Sequence, residues 1–406
     1  MNIYISGISG TGMGPLALMA KAAGHEVFGS DLSAGAVTDE LKENDIIFNI
    51  GTQDGSFLEK TLEKNPIDWF IYTSALPKDH PELLIAEKNN IKTSKRDEFI
   101  NYLITELNLK LIAIAGTHGK TTTTSMIIWC CQQLQIPISY IVGTTLPFSK
   151  SGAYDPTSQF FIYEADEYDR NFLHFHPYIA AITIATYDHS DIYPAKEDYQ
   201  SAFRQFENQS ETILKGGEID NRITLAGEAR KLDATLALKT IKRLKPTIPE
   251  EKIIETLNNF PGAGRRFERI ADGIYSDYGH HPEEIAATIK IAQEEATRKN
   301  KREVIAIYEP HQNTRQHSLI NDYKTVFEGV SHLFWLPTFL TREDPNLPIL
   351  QPEDFIKTLT NKSLAEPANL NEKLAEKLKQ YQKENYLILL LTAGPADTWL
   401  RNVFKD

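Results

Sequence analysis

At 406 residues the chain is longer than a single hydrophobic core usually supports, so two or three domains are expected. Its formal net charge of -12 disfavours non-specific nucleic-acid binding, which needs a basic face. No stretch approaches the roughly 18 apolar residues of a membrane span, and Met1–Ile5 runs directly into a strand without a basic leader. A cytoplasmic enzyme without nucleic-acid or membrane partners is the expectation, as a monomer or homodimer. The adjacent pair Cys130 and Cys131 could form only a strained disulfide that staples nothing, in keeping with a reducing compartment.

In chain order, Ile3–Ser6, Glu26–Gly29 and Trp69–Ser74 read as strands, and Pro15–Ala23 and Arg96–Leu107 as helices. A second start follows at the apolar strand Leu111–Ala115. Helix Lys120–Leu134 comes next, then strands Ser139–Val142, Gln159–Glu164 and Ile179–Thr186. Helices Ala195–Asn208, Glu228–Leu244 and Glu250–Phe260 complete the middle, with only a short segment around Gly216-Gly217. The last third opens on Gly262–Arg266 and a hairpin turning at Asp272-Gly273, a dipeptide suited to tight hairpin turns. Helix Pro282–Lys299 then alternates with strands Val304–Tyr308, His332–Leu336 and Tyr386–Leu391. Strands alternating with helices predict α/β architecture with mainly parallel sheets. Three α/β domains are expected, at 1–107, 108–261 and 262–406.

The sharpest chemical signal is Gly116-Thr117-His118-Gly119-Lys120-Thr121-Thr122, directly after a strand and opening a helix. Glycines there let backbone N–H groups face a polyphosphate at a helix N-terminus. Lys120 can reach the terminal phosphates and the Thr121 hydroxyl can bind Mg²⁺. Ile114 stands where the strict pattern has its first glycine, so the loop is a shortened variant. Glu164-Ala165-Asp166-Glu167-Tyr168-Asp169 ends the strand Gln159–Glu164 and offers hard oxygen ligands to Mg²⁺. Asp188-His189-Ser190-Asp191 stands at another strand end. Tyr278-Gly279-His280-His281-Pro282 and Pro310-His311-Gln312-Asn313-Thr314-Arg315 each connect a strand to a helix, where open α/β sheets place ligands. The N-terminal turn Gly7-Ile8-Ser9-Gly10-Thr11-Gly12-Met13-Gly14, with Asp31 ending the next strand, suits phosphate binding. Ser9 stands in place of the second fingerprint glycine, so a nicotinamide cofactor is not implied and a nucleotide diphosphate fits equally well.

Taken in order, Gly116–Thr122, Glu164–Glu167, Asp188-His189, Gly264–Glu268, Asp277–Pro282 and Pro310-His311 resemble the Mur ligases, as do Gly7–Met13 and Thr73-Ser74-Ala75. The resemblance spans nearly the whole chain, and Tyr278–Pro282 is similar to the alanine-adding branch; it implies Rossmann-like folds in the first and last domains and a shortened P-loop domain between them. It implies a ligase that uses ATP and Mg²⁺ to activate the carboxylate of UDP-N-acetylmuramate as an acyl phosphate, which an amino acid then captures as an amide. By the same resemblance, Gly10, Thr11, Gly12, Met13, Asp31 and Ser74 hold the UDP-sugar. Gly116–Thr122 and Asp277 hold ATP, and Thr121, Glu164 and His189 hold the metal. Lys120, His189, Arg266 and His281 act in catalysis. Tyr278, His280, His311 and Arg315 line the amino-acid pocket, with Arg315 the natural partner for a carboxylate.

The chain departs from the family pattern in several places. Ile184, Ala185 and Thr186 precede Asp188 where the family has Asn, an aliphatic residue and Glu. Gly227-Glu228-Ala229-Arg230 replaces the adenine-holding Gly-x-His-Asn, and Gln312 and Asn313 replace Arg and Tyr. These departures leave two other readings open. One is the related ligase that attaches a preformed tripeptide during cell-wall recycling. The other is a nucleotide-binding relative without turnover.

Overall fold

A computed structural model describes residues 1–73, 76–187, 192–341 and 343–405, so Ser74 and Asp188–Asp191 lie outside it. The described residues form three sheets. The first is wholly parallel, in the order β3-β2-β1-β4-β5. Its strands are β1 (Asn2–Ser6), β2 (Glu26–Asp31), β3 (Ile47–Ile50), β4 (Trp69–Tyr72) and β5 (Lys92–Lys95). The helices between and after them are α1 (Gly14–Ala22), α2 (Thr38–Glu43), α3 (Ser56–Leu62), α4 (Pro81–Lys88) and α5 (Arg96–Glu106). β1 is buried along nearly its full length, as expected of a central parallel strand with both faces covered. β5 reads Lys-Thr-Ser-Lys and carries no hydrophobic signal; pairing with β4 makes it a strand, and sequence reasoning missed it for that reason.

The second sheet has the order β11-β10-β6-β9-β7-β8. It comprises β6 (Lys110–Ala115), β7 (Ser139–Ile141), β8 (Gly152–Ala153), β9 (Phe160–Glu164), β10 (Ile179–Ile182) and β11 (Thr212–Lys215). Its helices are α6 (Lys120–Gln133), α7 (Lys196–Asn208), α8 (Glu228–Leu244) and α9 (Glu250–Asn258). The expected strand Ile179–Thr186 is shorter than its apolar pattern suggested. It leaves the regular ladder after Ile182, and Ile184 instead bridges His118 in the phosphate loop. The short segment before Gly216 contains the edge strand β11, whose alternating burial is too brief to signal itself.

The third sheet runs β12-β13-β17-β14-β15-β16, with β12 (Glu268–Ala271) and β13 (Ile274–Asp277) forming the antiparallel hairpin expected at Asp272-Gly273. The remaining strands are β14 (Val304–Glu309), β15 (His332–Trp335), β16 (Ala365–Pro367) and β17 (Leu387–Thr392). Helices α10 (Pro282–Arg298), α11 (Asn313–Leu319), α12 (Pro352–Ile356), α13 (Glu372–Lys383) and α14 (Ala396–Val403) belong to the same part of the chain. Leu387, Leu389 and Leu391 of β17 pack in one core cluster and Ile388 and Leu390 in another. The strand is therefore buried on both faces, which explains its uninterrupted apolar run.

By contact density the chain divides into two compact units. One holds Met1–Ile223 and Ala229–Phe260, the other Thr224–Glu228 and Pro261–Asp406. The first unit contains the first two sheets, whose residues share one continuous apolar cluster from Ile3 to Phe206. Polar contacts lock the same junction: Ser151 donates its N–H and hydroxyl to Glu40 Oε2 at 2.7 and 2.8 Å. A Cβ at Gly152 would lie 1.9 Å from the Pro15 carbonyl oxygen, so glycine is required by close backbone approach. Gly152→Ala is expected to force α1 away from β8 and to cost about 1–3 kcal/mol. Urea unfolding of the variant checks this, and unchanged stability would show that the two sheets are not locked there.

Candidate active site

In the first sheet the chain leaves β1 through Gly7, at φ +82°, and enters α1 with Pro15 in its first turn. Asp31, at the end of β2, accepts the Ser9 N–H at 2.8 Å. Its carboxylate thus shapes the glycine-rich turn from beneath. Gly10, Thr11, Gly12 and Met13 line a cavity of about 340 Å³ together with Thr73 and Arg96. The Met13 side chain is itself buried in the core. A Cβ at Gly12 would meet an Arg96 guanidinium nitrogen at 2.5 Å, so the bare glycine makes room for that cation.

The second loop leaves β6 at Gly116, φ +130°, and turns into α6 at Gly119, φ +85°. Both angles favour glycine over any residue with a side chain. Thr117 is committed to the fold: its hydroxyl donates to the Thr186 carbonyl at 2.6 Å and lies 2.6 Å from the Tyr199 hydroxyl. His118 is exposed, and Thr122 is partly buried on the first turn of α6. Lys120 Nζ donates to the Gly116 carbonyl at 2.6 Å and to Glu167 Oε2 at 2.7 Å. Glu167 is fully buried and so holds the lysine by an ion pair within the loop. Thr121 Oγ1 donates to Glu164 Oε2 at 2.8 Å, and Glu164 Oε1 accepts the Gly143 N–H at 2.9 Å.

A hydroxyl and a carboxylate meeting at hydrogen-bond distance form the hard-oxygen donor set that a Mg²⁺ ion accepts. His189, the third expected ligand, lies outside the described residues, as does Ser74. A second cavity of about 200 Å³ opens beside the P-loop, lined by Lys120, Gly143 and Glu164. It shares Thr11, Gly12, Arg96 and Asp166 with the first cavity. Arg96 sits at the β5–α5 junction, 3.6 Å from an Asp97 carboxylate oxygen. Sequence reasoning saw it only as a helix start. Its place at the C-terminal end of a parallel strand is the signal that could have found it.

In the second unit, Tyr278, His280 and His311 come together. The His280 ring centroid is 5.4 Å from that of Tyr278 and 5.8 Å from that of His311. The Arg265 guanidinium lies 5.0 Å from the Tyr278 ring, a cation–π arrangement. His311 stacks on Phe339, and its Nδ1 is buried without a hydrogen-bond partner among the described residues. Burial, reinforced by the charges of His280 and Arg315, holds the His311 imidazole below its ordinary pKa. Arg315 on α11 therefore brings its charge to the same place.

His281 is the N-cap residue of α10, with its N–H donated to Glu284 at 3.2 Å. Asp277 is partly buried and accepts the N–H groups of Phe267 and Gly279 at 2.7 and 2.8 Å and the Thr288 hydroxyl at 3.2 Å. Its bonds organise the turn that carries Arg266, whose charge acts on it. Glu309, unnoticed in the sequence, is buried at the end of β14, where it accepts the Thr392 hydroxyl. Burial pushes its carboxyl above the usual range.

The family profile described as "Mur ligase family, catalytic domain" matches residues 2–106, and that described as "Mur ligase middle domain" matches residues 114–226. A Clostridium acetobutylicum protein named UDP-N-acetylmuramate–L-alanine ligase is 30% identical, covering 98% of this chain and 95% of its own. The chain belongs to the Mur ligase family. A Campylobacter jejuni ligase of the same name is 30% identical over 85% of this chain and 87% of its own. Among solved structures, the UDP-N-acetylmuramate–alanine ligase of Thermotoga maritima shares the fold with a TM-score of 0.73, at 21% identity, covering 99% of this chain and 98% of that one. A murein peptide ligase from Psychrobacter arcticus also shares it, with a TM-score of 0.57 at 21% identity over the same shares. The Clostridium alignment extends over 455 positions against 406 residues here, so this Mur ligase lacks stretches that its relative carries. Among the described residues no helix is long and apolar enough to cross a membrane.

The Lys120–Glu167 pair yields a prediction. Glu167→Gln leaves the lysine without its charged partner and should lower stability by about 1–3 kcal/mol. Added ATP should shrink that loss, because phosphates replace the missing charge. Denaturation with and without ATP measures it; an equal loss in both conditions would mean that the nucleotide does not engage Lys120.

Proposed function

We propose that this Mur ligase uses ATP to join the carboxylate of UDP-N-acetylmuramate to the amine of L-alanine, a step in peptidoglycan precursor synthesis. One observation carries the reading: two glycine-rich phosphate loops border cavities that share Arg96 and Asp166. A UDP-sugar held by the first loop and ATP held by the second would present carboxylate and γ-phosphate to one another. The names of the nearly full-length relatives supply the acceptor.

The chemistry follows from the charges. A carboxylate is a poor electrophile, so its oxygen first attacks the γ-phosphorus of ATP, and the bond to the β-phosphate oxygen breaks to release ADP. This transfer needs mainly alignment and charge neutralisation. The P-loop N–H groups and Lys120 would hold the β- and γ-phosphates, with Lys120 exchanging Glu167 for phosphate oxygen. Arg96 would offset the charge gathered where the two cavities adjoin. Thr121 and Glu164, with His189 by family resemblance, would hold Mg²⁺, which when bound offsets triphosphate charge. The alanine amine then attacks the acyl carbon, and the tetrahedral adduct collapses to amide and phosphate as the amine loses a proton. Arg315 would pair with the alanine carboxylate beside Tyr278, His280 and His311. A neutral His311 suits acceptance of the proton that the amine sheds as it bonds to the acyl carbon. Arg266 would meet the transferred phosphoryl group, while His281 would act from the start of α10.

Phosphate release from ATP with UDP-N-acetylmuramate should depend on L-alanine, when L-alanine, L-serine, glycine and the tripeptide are compared. Release with the tripeptide alone would assign the chain to wall recycling, and ATP binding without release would favour a relative that has lost turnover. Lys120→Ala should abolish ATP turnover yet leave UDP-sugar binding unchanged, because the two loops lie on different sheets. Parallel loss of both, read by calorimetry, would contradict the assignment. Arg315→Ala should raise KM for L-alanine by about 10- to 100-fold, as expected for the loss of a charged hydrogen bond; an unchanged KM would place the acceptor elsewhere.

A further inference from the structure

Asp233 on α8 stands against the turn of the P-loop. A Cβ at Gly119 would lie 2.2 Å from Asp233 Oδ1 and 3.0 Å from its carboxyl carbon, so the carboxyl group packs directly on the bare glycine. That glycine immediately precedes Lys120 and the helix N-terminus that would receive the triphosphate. A negative charge here would oppose the very charge the loop attracts, and partial burial would leave the repulsion poorly screened. The surrounding groups do not cancel it. Arg230, one turn earlier on α8, and Thr123 on α6 both favour the carboxylate, yet burial outweighs them and pushes the carboxyl up to about 7. The P-loop itself carries His118, which is exposed, and Lys120, whose ammonium is bonded to Gly116 and Glu167.

We propose that Asp233 is a positioning residue of the nucleotide loop that makes ATP binding depend on pH: uncharged, it supports Gly119 and leaves the loop receptive, and charged, it opposes the polyphosphate. The proposal rests on the ATP-binding reading of this loop. Its sign is set by burial. The uncharged form dominates below neutrality, so affinity is high there and falls as pH rises through 7. Binding also favours the protonated form, so Asp233 takes up a proton from solvent as ATP binds near or above neutrality.

Calorimetric titration of ATP at constant Mg²⁺, from about pH 6 to about pH 8.5 in buffers of different ionisation enthalpy, tests this. Wild-type affinity should fall roughly tenfold across that range, inside the ceiling of roughly 30-fold that linkage allows one group titrating at about 7, with proton uptake. Asp233→Asn, nearly isosteric and uncharged, should bind tightly throughout and lose the Asp233 proton uptake. Asp233→Ala should be equally flat if the asparagine variant folds poorly. Wild-type binding that does not change with pH, or variants that follow the same fall, would overturn the proposal while leaving the ligase reading intact. Absence of ATP binding to the wild type at every pH would overturn both.

Discussion

The arrangement of the first unit depends on the close approach of Gly152 to the Pro15 carbonyl. Pro15 begins the helix that follows the first glycine-rich loop, and Gly152 belongs to the sheet that carries the second. With no side chain between them, the two sheets share one core and their loops border cavities with common walls. The Ser151 bonds to Glu40 hold the same junction from the polar side. Enzymes gain most from reactants held in register rather than merely bound, and this junction fixes the register between the two loops.

Electrostatics is arranged around the same loops. Lys120 and Thr121 are each held by a carboxylate, Glu167 and Glu164, where phosphate oxygen and a cation would later compete. A buried ion pair is a modest source of stability at best, but it keeps the lysine folded back toward the loop. Asp233 differs, since it packs on the bare Gly119 and burial outweighs the pull of Thr123 and Arg230 toward its charged form. In the second unit the same logic keeps His311 neutral: burial and the neighbouring charges of His280 and Arg315 disfavour its protonated form. Asp277 gives its capacity to backbone N–H groups and a hydroxyl, so its contribution begins with the shape of the turn bearing Arg266.

Much of this was legible in the sequence because the relevant signals are local. Glycines at 116 and 119 mark a strand-to-helix turn needing positive φ, and Lys120-Thr121 follow in the register a polyphosphate requires. Asp272-Gly273 specified its hairpin by turn chemistry, and the unbroken apolar run of β17 announced a strand covered on both faces. Other elements had no local signal. β5 is four polar residues that become a strand through β4, and the strand after Ile179 is cut short because Ile184 pairs with the P-loop.

The sequence alone determined the α/β class, both glycine-rich loops and the family, since each rests on residue types at fixed short spacings. Tertiary structure decided which distant groups meet those loops. Arg96 reaches Gly12, Glu167 reaches Lys120, and Asp233 reaches Gly119 across separations no periodicity encodes. The charge each group carries was decided there too, because burial and neighbours, rather than residue type, set whether a carboxyl or an imidazole is ionised.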